Sequence, residues 1–143
     1  MPVKLMRAKS EDATAIVSLF RDIADKELDV KKVEGCIDEY PSVLAISGAK
    51  LVGFVYSSSF APDILELLNI AVLEAHRDSG IGSMMLSEIE TQASQQYRAV
   101  ILVNSVLYAS RKPKKLAGNF YLKNGYKLVH TTGSTTVFIK SLA

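Results

Sequence analysis

The residues best equipped for chemistry stand in one short run, Arg77-Asp78-Ser79-Gly80-Ile81-Gly82, between an apolar segment and an amphipathic one. Two glycines at such a junction let backbone N–H groups approach an anion with no side chain in the way. A helix beginning near Gly80 would add unsatisfied N–H donors and the positive end of its dipole. The combination makes a cradle for a pyrophosphate, although a short Gly-x-Gly by itself is also a common structural turn. Two familiar phosphate loops are excluded: no Gly-Lys-Ser/Thr ends the run, and the three-glycine dinucleotide fingerprint is absent.

Glu66 is the next candidate. It interrupts the otherwise apolar run Ile64 to Val72, where partial desolvation raises a carboxylate's pKa and makes it a better proton acceptor. A salt-bridged glutamate near a sheet edge is the alternative, and both stay open at this point. Asn69 and Asn104 can orient a substrate or a water, or make structural hydrogen bonds. His76 and His130 lack the spacing of a ligand pair, so no metal site is expected. Cys36 is the single cysteine. It allows neither an internal disulfide nor a cysteine metal cluster, and it is expected as a small buried apolar side chain.

The elements that must position these residues follow from periodicity. Val3 to Arg7 reads as a short strand. Ser10 is the expected cap of a helix carrying Ile16, Val17, Phe20, Ile23 and Ala24. A second helix carries Val30, Val33, Ile37 and Tyr40, with Gly35 as a local cost, and Pro41 stops it. Ser42–Ser47 and Leu51–Phe60 are strands about a Gly48-Ala49-Lys50 turn, and Pro62-Asp63 precedes a strand over Ile64–Val72 apolar on both faces. A helix follows from Gly80 toward Gln96, with Met84-Met85-Leu86 read as core. Then come a strand over Ala99–Val106, a basic stretch Ala109–Lys115 and a short helix through Leu122. A closing hairpin of Tyr126–His130 and Thr135–Ser141 turns at Thr132-Gly133-Ser134. The order is βααβββαβαββ, with no repeat, linker or second domain.

Bulk properties agree with one globular domain over residues 1–143. The chain has 48% hydrophobic and 22% charged residues, enough apolar content to exclude a disordered chain. A formal net charge of +2 gives little support for nucleic-acid or membrane binding. No apolar run reaches the length of a membrane helix, and no secretory signal opens the sequence, so a cytoplasmic location is expected.

Two segments together resemble a known family. Val72-Leu73-Glu74-Ala75-His76-Arg77-Asp78-Ser79-Gly80-Ile81-Gly82-Ser83-Met84-Met85-Leu86 resembles the acetyl-CoA motif of the GNAT N-acetyltransferases, Arg/Gln-x-x-Gly-x-Gly/Ala after the fourth strand. Ala117-Gly118-Asn119-Phe120-Tyr121-Leu122-Lys123-Asn124-Gly125-Tyr126 resembles the family's second motif, Ala-x-x-(apolar)-Tyr-x-x-x-Gly-Phe/Tyr. The resemblance implies an α/β (α+β) GNAT fold, a mixed sheet of about seven strands flanked by four helices.

It implies too that acetyl-CoA is the donor. The residues Arg77, Asp78, Ser79, Gly80, Ile81, Gly82 and Ser83 would hold its pyrophosphate. Ile70, Ala71 and Val72 would lie along the pantetheine arm, with Lys114, Asn119 and Tyr121 completing the site. Tyr121 matches the tyrosine that protonates the departing sulfur in many members, and Glu66 sits where some members carry a general base. Lys114 replaces the family's usual asparagine, and the loop Tyr108 to Lys115 is longer than usual. Arg111, Lys112, Lys114 and Lys115 therefore reach the 3′-phosphate of CoA or an acidic acceptor, or form a solvated basic loop.

Three functions are consistent with these residues. The first is acetyl transfer to a primary amine of a small molecule, a protein lysine or a protein N-terminus. A non-catalytic acetyl-CoA-binding or sensing domain is the second. The third, nucleic-acid contact through the basic loop, has the least support. A homodimer is compatible with the resemblance and rests on nothing else.

Overall fold

The computed structural model describes residues 2–103, 117–132 and 135–142. The elements are β1 (Val3–Met6), α1 (Ala13–Ala24), α2 (Val30–Glu39), β2 (Ser42–Ser47), β3 (Lys50–Ala61), β4 (Ile64–Val72), α3 (Ile81–Ala93), β5 (Ala99–Val103), α4 (Ala117–Lys123), β6 (Lys127–Thr131) and β7 (Thr136–Ser141). Single 3₁₀ turns at Ser10–Asp12 and Glu74–His76 are added to the expected order. All seven strands form one sheet, β1-β2-β3-β4-β5-β7-β6. Only β4 and β5 run parallel; every other neighbouring pair is antiparallel.

Each face of the sheet carries its own core. Ile16, Val17, Phe20 and Ile23 of α1 and Val33 and Ile37 of α2 pack on Leu44, Phe54, Tyr56 and Ala71. On the other face Ile81, Met85, Leu86, Ile89 and Ala93 of α3, with Tyr121 of α4, pack on Val55, Leu65, Leu67, Val100 and Phe138. Gly53 of β3 is tightly enclosed: a Cβ there would stand 3.1 Å from the Ala71 carbonyl oxygen of β4 and 3.3 Å from Met85 Cε of α3. A side chain at that position would force these neighbours to shift by a few tenths of an ångström.

Several local expectations are corrected. Ser10 does not cap α1. It lies within the first 3₁₀ turn, which Asp12 closes by accepting the Lys9 N–H at 2.8 Å. A carboxylate three residues on takes the role assigned to the hydroxyl. The cap that does form is Asp29, which accepts the Lys31 N–H at 3.0 Å and the Lys32 N–H at 3.4 Å and starts α2. Met84 is 41% exposed while Met85 and Leu86 are buried, because the core stripe of α3 runs through positions 81, 85 and 89. Cys36 is only half-buried. Asn104, the end of the Ala99–Val106 strand, Arg111, Lys112, Lys114, Lys115, Gly133 and Ser134 lie outside the described residues.

Candidate active site

The centre of the sheet opens. β4 and β5 pair only through Ile64↔Ala99, Leu65↔Val100 and Glu66↔Ile101, and beyond Glu66 the two strands part. β5 continues against β7 and β4 against β3, so both remain strands while a slot widens between them. Leu67, Leu68, Asn69 and Ile70 line one side of the slot, Leu102 and Val103 the other, and Tyr121 closes it. Among the described residues, backbone polar groups on the edge of β4 beyond Glu66 have no β5 partner, and apart from the Val72 carbonyl oxygen, which accepts from Arg77 Nε, that edge faces the slot.

A β-bulge sits at the same place. The register against β3 steps from Ser57↔Leu67 to Tyr56↔Asn69, leaving Leu68 as an extra residue. The extra residue reverses the alternation of β4. Leu65 and Leu67 face the α3 side before the bulge, and Ile70 and Val72 face it afterwards. Glu66 lies opposite Ser58, and Asn69 lies opposite Tyr56. Residues opposite one another share a face, and so do Tyr56 and Ser58 two positions apart. Glu66 and Asn69 therefore look out on the α1–α2 face, although they are three positions apart.

On that face a cavity of about 530 Å³ lies between α2 and the β3–β4 hairpin. Val33, Cys36 and Tyr40 form its helical wall, and Tyr56, Leu68 and Asn69 form its sheet side. Asn69 Nδ2 donates to the Tyr56 hydroxyl at 2.7 Å. Leu68 and Asn69 line both the cavity and the slot, so the bulge borders both spaces. Glu66 stands beside them, half-buried, and loss of solvent raises its pKa above the ordinary carboxylate range. The sequence pattern predicted that direction.

Tyr121 approaches from the other face. It is fully buried, with its ring 5.2 Å from Phe138, 5.6 Å from Phe120 and 5.8 Å from Tyr126. Tyr126 is anchored in turn: its hydroxyl donates to Glu90 Oε2 at 2.8 Å, and Glu90 Oε1 accepts from Lys140 Nζ at 2.8 Å. Lys140 Nζ also donates to the Asn124 carbonyl oxygen at 2.9 Å, tying α3, β7 and the end of α4 together. Burial and the neighbouring Glu90 carboxylate push the Tyr126 phenol far above its ordinary range. The sequence carried no signal for this network, because its members lie 36 and 50 positions apart.

The glycine run forms the N-terminus of α3. Gly80 takes φ +85° as N-cap, and a Cβ there would meet nothing within 4 Å. Asp78 adopts φ +61°, so two left-handed residues bend the loop toward the helix axis. The helical bonds begin with the Met84 N–H on the Gly80 carbonyl oxygen at 3.0 Å, which leaves the N–H groups of Ile81, Gly82 and Ser83 at the open end. Arg77 Nε donates to the Val72 carbonyl oxygen at 2.9 Å, and Ser79 Oγ donates to that of His76 at 2.5 Å. These two side chains brace the loop against the end of β4.

The GNAT acetyltransferase domain matches residues 38–128 of this sequence, more than half of the chain. The chain belongs to the GNAT acetyltransferase family. No curated protein matches it in sequence. Among solved structures it is similar to the ribosomal-protein-S18-alanine N-acetyltransferase of Escherichia coli, with TM-score 0.82 and 14% identity over 99% of this chain and 95% of that one. It is similar to the PaiA N-acetyltransferase of Thermoplasma acidophilum, solved with coenzyme A, with TM-score 0.73 and 18% identity over 99% of both chains. An aminoglycoside 6′-acetyltransferase of type Ii matches with TM-score 0.78 and 19% identity, over 100% of this chain and 98% of that one. At these identities the likeness is one of fold.

This GNAT acetyltransferase is an acyltransferase that uses acetyl-CoA. The residues present fit that donor. The N–H groups opening α3 and the unfilled space at Gly80 suit a diphosphate, and the slot between β4 and β5 suits an extended thiol arm. The expected residues divide into groups. Arg77 to Ser83 form the loop and first turn of α3, Ile70 and Tyr121 line the slot, and Glu66 stands in the last β4–β5 pair before it opens. Ala71 and Val72 are buried on the same strand between slot and cradle. Asn119 is exposed on α4, two residues from Tyr121 and so on another side of that helix. Lys114 falls outside the described residues. No described helix is long and apolar enough to cross a membrane.

Proposed function

We propose that the protein transfers the acetyl group of acetyl-CoA to a primary amine by direct attack in a ternary complex. The observation that carries this reading is that slot and cavity share Leu68 and Asn69 as lining residues, with Glu66 on one face of the sheet and Tyr121 on the other. One reactant can enter from each side and the pair is held together, which is the larger part of such a rate enhancement.

Acetyl-CoA supplies the activated acyl group. Glu66 accepts the proton that an ammonium must lose before its nitrogen can attack, and desolvation, which raises its pKa, makes it a better proton acceptor. A backbone N–H on the open edge of β4 faces the charge that grows on the thioester oxygen; comparable donors are worth about 3 kcal/mol. As the N–C bond forms and the C–S bond breaks, the nitrogen gives up its surplus proton to solvent, and Tyr121 donates its phenolic proton to the sulfur and is reprotonated from solvent. The amide and free CoA leave.

The fold does not choose the acceptor, since similar structures are named for an alanine of ribosomal protein S18 and for an aminoglycoside. A cytoplasmic location and a homodimer belong to this proposal, to be tested by fractionation and light scattering. The deciding experiment measures thiol release from acetyl-CoA against amines of several classes, with acetyl-CoA binding followed separately by calorimetry. Amine-dependent release is the expected result. Binding without turnover on any amine would make the protein a sensing domain, and no binding would overturn the reading.

A further inference from the structure

We infer that the cavity between α2 and the β3–β4 hairpin selects a small primary monoamine carried on an apolar, preferably aromatic, body. The inference rests on the acetyl transfer proposed above and narrows its acceptor. At about 530 Å³ the cavity has the size of a small-molecule site. Its walls are largely apolar, and Tyr56, stacked at 6.2 Å on Phe54, is a rigid, buried aromatic of the sheet wall.

The polar groups sit at the end that borders the slot. Asn69 Nδ2 is committed to the Tyr56 hydroxyl, and no donor among the described residues reaches Asn69 Oδ1. That oxygen is an acceptor suited to an amine N–H at the place where acyl transfer is proposed.

The charges set the valence. Three charged side chains line the cavity: Asp29, Lys32 and Glu39. Asp29 caps α2 through Oδ1 and keeps its negative charge, and Lys32, also on the lining, carries the opposite charge. Glu39, exposed near the end of α2, and Glu66, half-buried on the same face of the sheet, are the carboxylates available to an ammonium. A polyamine or aminoglycoside carries more ammonium groups than these offset and would leave the rest against apolar walls with no counter-charge.

Gly35 supplies a clean test. It lines the cavity from within α2, and a Cβ built on it meets nothing within 4 Å. Gly35→Phe therefore adds a ring at the exposed rim of the cavity while improving helix propensity, so the fold survives. The probes are 2-phenylethylamine, spermidine and a short peptide with a free N-terminus, assayed by thiol release, with acetyl-CoA binding measured alongside. We expect kcat/KM for 2-phenylethylamine to exceed the other two by about tenfold or more, the scale on which pocket contacts discriminate. In Gly35→Phe its KM should rise about tenfold with the Kd for acetyl-CoA unchanged. Preference for spermidine or the peptide, an unchanged KM in the variant, or acetyl-CoA binding with no amine turned over would each overturn the inference. Failure to bind acetyl-CoA at all would remove the transferase reading beneath it.

Discussion

Tyr121→Phe separates chemistry from packing, because the substitution removes one oxygen and keeps the ring. The ring is what anchors the residue, fully buried between Phe120, Tyr126 and Phe138 at 5.2 to 5.8 Å. Loss of a hydroxyl with the packing retained should change stability by about 1 kcal/mol or less. For a domain of this size that is a shift in melting temperature of about 4 °C at most. Tyr121→Ala would instead vacate the space of a buried ring and cost about 3–5 kcal/mol, confusing lost catalysis with lost fold. A general acid contributes about 100-fold or more, so the loss of the phenolic proton should raise the barrier by about 2.7 kcal/mol and lower kcat about 100-fold. KM for acetyl-CoA should barely move, since the group acts in the transition state. The assay is thiol release at saturating acetyl-CoA and amine, paired with a thermal melt of each variant. A kcat within about twofold of wild type, with an unchanged melt, would refute the role of Tyr121 as proton donor.

Glu66→Gln should lower kcat/KM by about 10- to 100-fold and abolish its acid limb, which in the wild type stands above the usual carboxylate range, as a pH–rate profile would show. Because the folded-state pKa of Glu66 is raised, its contribution to stability is fully present below the unfolded value and is lost as pH rises through the folded value. Glu66→Gln should therefore be as stable as wild type or slightly more so in urea at neutral pH, and a clear loss would contradict the burial argument. Gly80→Ala should cost about 1–2 kcal/mol for a left-handed alanine, with no internal clash, and raise the KM for acetyl-CoA because the new methyl group stands in the open cradle. Glu90→Ala should cost about 2–4 kcal/mol in urea unfolding, since it strips partners from the Tyr126 hydroxyl and the Lys140 ammonium. Glu90→Gln, which keeps an acceptor for Tyr126, should lose less.

Periodicity alone determined the eleven elements and their order, because each helix and strand must bury a stripe or a face whatever its neighbours are. The turn from Arg77 to Gly82 into α3 was equally legible, since glycines ahead of an amphipathic stripe mark a helix N-terminus. Local signals failed where several residues compete for one role, as Ser10 lost the first turn to Asp12 and the cap Asp29 went unread. Alternation could not show that Glu66 and Asn69 share a face, because counting by twos puts them on opposite sides and only the bulge at Leu68 reunites them. Nor could it show Cys36 and Tyr40 facing Tyr56 and Asn69 across one cavity, or Glu90 joined to Tyr126 and Lys140. Such contacts arise when strands choose partners and register. The sequence determined which surfaces had to be buried; the tertiary structure decided where β4 leaves β5, and with it where two substrates can meet.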